Sequence, residues 1–207
     1  MFSGRNVMKN KVVEIVFGCF VLCVSLLSCS KNDAKVEDGK VKLDLPVIKQ
    51  APYISGINFD GKTVTSEALK GKYWLASFMF TSCGDICPRL NSQISALFGE
   101  FKDSPELKFV SISVDPENDT QEVLKKYAER YGAKPDKWYF LRMPIDTVKN
   151  LSLEGFRIAT LDAPLSHSKR IVLVDDKGQI RGYYDGLEHD DVDKLRQVLH
   201  TILPPKK

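Results

Sequence analysis

Apolar side chains follow two alternating patterns between residues 51 and 203. Short runs rich in β-branched and aromatic residues, typical of strands, alternate with stretches in which apolar residues recur every three or four positions, as in helices. The runs predict strands over residues 73–80, 107–114, 138–141, 170–174 and 179–184. The helical spacing predicts four helices: one that has Pro88 in its first turn and runs to about residue 101, one from a capping box of Asp119 and Glu122 to Tyr131, and two more over 145–153 and 190–202.

Turn signals set the order of these elements. Asp60-Gly61 predicts a hairpin within residues 53–65, and residues 175–178 predict a second hairpin. Gly71 closes a predicted helical turn, and an irregular loop is expected over residues 156–168. The order of elements predicts one α/β domain with a thioredoxin-like fold, in which helices flank a mixed central β-sheet that carries an N-terminal β-hairpin.

The first 28 residues have the pattern of an export signal. Basic residues precede an apolar run over 15–27 that is too short to span a bilayer comfortably, and Leu26-Leu27-Ser28-Cys29 resembles the lipobox of bacterial lipoproteins. We therefore expect a lipoprotein signal peptide over 1–28, a lipidated N-terminus with a flexible tether over 29–50, and the folded domain over 51–207. An uncleaved anchor helix is the alternative. Either way the domain is expected to be exported and held at a bacterial membrane, facing the periplasm or the cell exterior, and in the first case the lipid on Cys29 anchors it.

The charge balance and the cysteine content limit the classes of function that the chain can have. Residues 29–207 contain 27 basic and 26 acidic side chains, so no basic surface for nucleic acid is expected. Of five cysteines, two leave with the signal and Cys29 carries lipid, which leaves Cys83 and Cys87. A structural disulfide between such close neighbours would constrain little of the unfolded chain, so a reactive or metal-binding pair is the favoured interpretation.

Cys83 and Cys87 stand where a predicted strand gives way to a helix N-terminus, which favours thiolate over thiol. At helical positions i and i+4 their β-carbons would be about 5–6 Å apart. A disulfide needs roughly 3.5–4.5 Å, so the spacing favours a shared metal ion, although a frayed first turn would still permit the disulfide. Two thiolates select soft ions, chiefly Cu(I), and an imidazole would extend the site to Cu(II). His167 is the candidate third ligand because its loop precedes a strand that a thioredoxin-like sheet places beside the cysteines. His189 and His200 are expected to be capping or surface residues at the two ends of the last helix.

Three segments resemble one known family. Residues 78–88 (FMFTSCGDICP), 113–120 (SVDPENDT) and 165–168 (LSHS) resemble, in order, the motif blocks of the Sco/SenC copper chaperones. The resemblance covers residues 51–203. One position departs from the family pattern, since Gly84 stands where a proline usually follows the first cysteine, which loosens the loop.

The resemblance implies that Cys83, Cys87 and His167 bind one copper ion, Cu(I) or Cu(II). It also implies that Asp85 and Asp115 lie close to the site, where Asp85 tunes the site or meets a partner and Asp115 shapes its rim. The implied function is a membrane-anchored metallochaperone that receives copper from an upstream carrier and delivers it to the binuclear copper centre of a respiratory cytochrome oxidase or another acceptor.

The alternative is a thiol–disulfide oxidoreductase in which Cys83 and Cys87 are the redox-active pair, acting on the oxidase cysteines or in redox sensing. A peroxidase of the peroxiredoxin type is disfavoured because no Pro-x-x-x-Thr-x-x-Cys arrangement surrounds Cys83.

Overall fold

The computed structural model describes residues 36–37, 40–41, 45–162 and 168–203 of the 207-residue chain. Its strands over these ranges are β1 (Val36–Glu37), β2 (Lys40–Val41), β3 (Lys49–Gln50), β4 (Ser55–Asn58), β5 (Thr63–Thr65), β6 (Tyr73–Met79), β7 (Leu107–Ser113), β8 (Trp138–Arg142), β9 (Arg170–Val174) and β10 (Gln179–Asp185). Its helices are α1 (Ile86–Phe101), α2 (Gln121–Arg130), α3 (Ile145–Asn150) and α4 (His189–Ile202), with a 3₁₀ turn over Ser66–Leu69 and a π-helical turn over Leu151–Gly155.

Eight of the described strands form one mixed sheet in the order β3-β10-β9-β6-β7-β8-β4-β5. The central strands β6, β7 and β8 are parallel, and every other pairing in this sheet is antiparallel. Strands β1 and β2 pair separately. Parallel neighbours end at the same edge of a sheet, so the turns that follow β6 and β7 are placed side by side.

The central strand β6 is buried on both faces, which explains its continuous apolar sequence. Leu75 and Met79 face a core shared with α1, α2 and α4. Trp74 and Phe78 face a second core, where both rings make edge-to-face contacts with Phe156, with centroids 6.0 and 5.5 Å away. Packing against both cores holds β6 in place and so fixes the direction in which its last residues leave the sheet.

The predicted α/β architecture, the mixed central sheet and the N-terminal hairpin are confirmed. Gly61 and Gly178 have φ of +85° and +75°, as tight hairpin turns require. The sheet begins at Lys49–Gln50, just before the expected domain boundary at residue 51. Over the described residues, none of the helices combines the length and apolar character needed to cross a bilayer.

Of two predictions about helix starts, one is confirmed and one is wrong. Helix α1 starts at Ile86, so Pro88 lies in its first turn, as predicted. Helix α2 is capped by Thr120, whose side chain accepts the Val123 N–H, and not by Asp119. The carboxylate of Asp119 is drawn into long-range contacts instead, which leaves the neighbouring hydroxyl to cap the helix.

Candidate metal centre

The cysteine-bearing turn leaves the carboxyl end of β6 and runs directly into α1. The Val114 N–H donates to the Met79 carbonyl over 2.9 Å and ties the ends of β6 and β7 together. Beyond these ends, the turn of residues 80–85 lies beside the turn of residues 114–120. Because β6 and α1 both pack in the core, the turn between them is held at both of its ends.

Cys83 lies in this turn, two residues before the helix N-cap at Asp85. Its N–H donates to the Phe80 carbonyl over 3.4 Å, and its Sγ accepts the Cys87 N–H over 3.3 Å. The prediction that both cysteines occupy positions i and i+4 of one helix is therefore wrong. Asp85 has a non-helical backbone (φ −133°, ψ −79°), so the helix cannot extend back to Cys83, and the Cys83 sulfur occupies the place of a capping side chain.

The two thiols have different surroundings. Cys83 is partly exposed, whereas Cys87 is fully buried in the core under α1. Partial burial opposes ionisation of Cys83, but hydrogen bonds from the N–H groups of Cys87, Asp85 and Ile86 and from the Cys87 side chain prevail, so the pKa of Cys83 is lowered. Burial, together with the neighbouring Cys83 thiol and the charge of Asp119, raises the pKa of Cys87 to about 12. One accessible, ionisable thiol therefore sits against one buried, protonated thiol.

Both cysteines are free thiols. Within the described ranges, no cluster of three or more His, Cys, Asp or Glu side chains is placed to hold a metal ion. The expected third ligand, His167, lies outside those ranges, as does the expected lipidation site Cys29. What the structure does supply is a pair of soft sulfur donors at a helix N-terminus, which can bind a soft metal ion once deprotonated or join as a disulfide.

The strand that follows residue 167 begins beside the cysteine turn. Strand β9 is the antiparallel neighbour of β6 and pairs Ala76 with Val172, so its first residue, Arg170, lies near the end of β6 that carries the cysteines. Ser168 is buried and its Oγ accepts the Arg170 N–H over 3.1 Å, which anchors the start of the strand. This register agrees with the expectation that the loop of residue 167 leads into a strand beside the cysteines. Ligation of a metal ion by His167 stays a prediction.

The two acidic residues named from the sequence occupy different positions. The Asp85 side chain is exposed and pairs with Arg89 over 3.8 Å, while its N–H contributes to the hydrogen bonding of Cys83. Both carboxylate oxygens of Asp115 accept the side-chain amide of Asn118 over 3.0 Å, and its N–H donates to Ser113 Oγ over 3.1 Å. Asp85 is therefore available to a partner, and Asp115 organises the neighbouring turn.

Sequence reasoning missed a buried polar group behind the site. Asn91, fully buried one helical turn after Cys87, donates through Nδ2 to the Cys87 carbonyl (3.0 Å) and to Tyr127 Oη (3.1 Å). Its Oδ1 is buried without a hydrogen-bond partner in the described part of the chain. The sequence does place an asparagine on the apolar face of a predicted helix. A polar residue at such a position usually makes a specific hydrogen bond, and this could have indicated the contact.

Asp119 was also missed as a site residue. Its fully buried carboxylate accepts the Thr81 N–H at 3.1 Å and the Thr81 and Ser113 hydroxyls at 2.5 Å each. Thr81 stands two residues before Cys83, so this carboxylate reaches across from the second turn and holds the start of the cysteine turn.

Comparison with known proteins places this geometry in a family. A family model described as SCO1/SenC matches residues 50–203. The SCO1 protein homolog of Bacillus subtilis (strain 168) is 34% identical over an alignment of 190 residues, which covers 88% of this chain and 94% of the relative. A solved SCO1/SenC family lipoprotein from Bacillus anthracis has a TM-score of 0.68 at 26% identity, covering 77% of this chain and 99% of that one. The Arabidopsis thaliana ScoI structure with copper bound has a TM-score of 0.58 at 29% identity, covering 71% and 93%.

The matched range contains all three sequence blocks and the eight-stranded sheet from its second residue, Gln50, onward. It also contains the cysteine turn, the Asp119 contacts and the strand β9 that begins beside them. Sequence and fold agree over this range, and the chain therefore belongs to the SCO1/SenC family.

Proposed function

We propose that this protein is a membrane-anchored copper carrier in which Cys83, Cys87 and His167 together bind one copper ion. Copper is its cargo, received from an upstream carrier and passed to an acceptor protein. The family resemblance points to the copper-centre subunit of a respiratory cytochrome oxidase as that acceptor.

The observation that carries the proposal is the pair of free sulfur donors, one accessible and one buried, at a helix N-terminus. The Cys83 sulfur already accepts an N–H from the residue that carries the second thiol, so the two residues are in direct contact. Two thiolates suit Cu(I), and an added imidazole also suits Cu(II). The copper-bound Arabidopsis relative supports copper as the ion.

The difference in exposure between the thiols fits a carrier better than a permanent metal site. Cys83 is partly exposed and lies on a turn, so a ligand of the acceptor can approach the ion on that side while Cys87 still holds it from the core. Exposed Asp85 lies next to this approach path and is available to a partner. We propose that transfer proceeds by stepwise ligand exchange that begins at Cys83.

Anchoring is proposed through lipid on Cys29, with residues 1–28 removed as a signal peptide. The lipobox-like sequence supports this, and so does the structural likeness to a protein described as a lipoprotein. Labelling with a radioactive or clickable fatty acid, compared between wild type and Cys29→Ala, tests the anchor. Absence of label from the wild type would contradict it.

A competition titration tests the carrier. The reduced protein is mixed with Cu(I) and a coloured Cu(I) chelator, and a Cys83→Ser, Cys87→Ser double variant serves as the matched control. Wild type is expected to withdraw one copper per chain from the chelator, and the double variant is expected to withdraw none at the same concentrations. Equal behaviour of the two proteins would contradict the proposal.

The second candidate is a thiol–disulfide oxidoreductase, favoured by the contact between an accessible and a buried thiol. In that reaction Cys83 would attack a substrate disulfide and release one of its thiols, and Cys87 would then displace the other, so that two electrons and two protons pass to the substrate. The His167→Ala variant separates the two functions. Loss of copper binding with intact dithiol exchange supports the carrier, whereas unchanged copper binding favours the oxidoreductase.

A further inference from the structure

The described part of the chain contains two buried carboxylates, Asp119 and Asp175, which lie beyond opposite ends of the strands of the large sheet. Asp119 lies at the edge where β6 and β7 end, and Asp175 lies at the opposite edge, in the hairpin between β9 and β10. A buried carboxylate is costly unless hydrogen bonds or a cation satisfy it, so each must have a structural reason.

The contacts of Asp175 are local. It accepts the N–H groups of Lys177 and Gln179 at 3.0 and 2.8 Å and pairs with Arg181 at 2.8 Å. These partners all belong to the same hairpin. The carboxylate therefore stabilises one turn and its neighbouring strand.

The contacts of Asp119 join separate segments. Ser113 ends β7, while Thr81 is 38 positions away from Asp119 along the chain and belongs to the cysteine turn. The Asp119 N–H donates to the Asp115 carbonyl over 2.9 Å, which fixes the carboxylate on its own turn. Two hydroxyls and one N–H then converge on the two oxygens of this fixed group.

We propose that Asp119 is a positioning residue for the metal site: its buried carboxylate clamps Thr81 to the end of β7 and so sets the path by which the chain reaches Cys83. This positioning role deepens the proposed copper-carrier function and depends on that function. The clamp leaves the metal-facing side of the turn free, because Asp119 holds Thr81 and not Cys83 itself. A turn held at Thr81 can keep its shape when copper enters and leaves.

The clamp is tested first without metal, in the reduced full-length protein. Amide hydrogen exchange at Thr81 and the rate of Cys83 alkylation are measured in wild type, Asp119→Asn, Asp119→Ala, Thr81→Val and the matched control Asp175→Asn. Loss of a hydrogen bond to a charged group predicts exchange at Thr81 about tenfold or more faster in Asp119→Ala. Asp119→Asn keeps a neutral acceptor and is expected to show a smaller acceleration. Asp175→Asn is expected to leave the exchange at Thr81 and the alkylation of Cys83 unchanged, whatever its effect on thermal unfolding.

The metal-loaded protein gives a second readout. The Cu(II) absorption and electron paramagnetic resonance spectra are expected to shift in Asp119→Asn and Thr81→Val and to match wild type in Asp175→Asn. Thr81→Val removes only one half-buried hydroxyl, so the test stays open should Asp119→Ala fail to fold. Unchanged exchange at Thr81 and unchanged alkylation in Asp119→Asn and Thr81→Val would overturn the clamp, as would equal changes in Asp175→Asn. If wild type takes up no copper, the carrier proposal fails, while the two metal-free readouts still decide the clamp.

Discussion

The contrast between the two thiols predicts a large difference in their reactivity toward an alkylating reagent. Only the thiolate reacts, so the rate at a given pH follows the ionised fraction. With a pKa of about 12, Cys87 is ionised in about one molecule in 10⁴ at pH 8, compared with roughly one in four for an ordinary thiol of pKa 8.5. The pKa of Cys83 lies on the low side of its usual value, so its ionised fraction is higher still.

Alkylation at pH 8 should therefore favour Cys83 over Cys87 by a factor on the order of a thousand, and the complete burial of Cys87 adds to this preference. The assay treats the reduced, metal-free protein with iodoacetamide and assigns the label by fragmentation mass spectrometry at successive times. A pH series should show the Cys83 rate levelling off first, while the Cys87 rate still rises at pH 10. Equal rates at the two positions, or faster labelling of Cys87, would refute the assignment of one accessible thiolate and one buried thiol.

Three further predictions concern stability. A Cβ on Gly84 would meet no heavy atom within 4 Å, so Gly84→Ala should raise the free energy of unfolding by about 0.4–1 kcal/mol in a denaturant titration, and a loss would contradict the open space. A Cβ on Gly186 would overlap the Leu90 side chain in the core behind Cys87, so Gly186→Ala should lower the free energy of unfolding by about 1–3 kcal/mol in the same assay, and a neutral result would contradict the close packing. Burial and then Lys108 lower the pKa of Lys137 to about 8, so between pH 8 and 10.4 the unfolded chain binds a proton that the folded chain does not. At about 1.36 kcal/mol per pKa unit, the stability of wild type relative to Lys137→Met should therefore rise by up to roughly 3 kcal/mol from pH 7 to pH 10.5 in thermal or denaturant unfolding, and a flat or falling difference would contradict the shift.

Local sequence signals were sufficient for most of the fold. The apolar run that became β6 is buried on both faces, and the turn around Gly178 adopts the positive φ that its sequence predicted. In these cases the information lies within a few residues of the element itself. The order of elements then led to the mixed sheet, because parallel strands need the intervening helices that the spacing predicted.

The site was only partly predictable, because its remaining determinants are contacts between distant residues. Asp119 followed by Glu122 has the local pattern of a capping box, yet Asp119 bonds Thr81, 38 positions earlier, and Thr120 takes over as the cap. The start of α1 at Ile86 depends on the non-helical backbone at Asp85, which the position of Pro88 did not reveal. Spacing rules could bring the two cysteines together but could not decide which of them the core would bury.

X-ray absorption spectroscopy of the copper-loaded protein tests the central claim most directly, because it counts the sulfur and imidazole neighbours of the metal. The account predicts one copper per chain bound by two sulfurs and one imidazole nitrogen, with one sulfur lost in Cys83→Ser and the imidazole lost in His167→Ala. A copper environment without sulfur, or one that neither substitution alters, would contradict it.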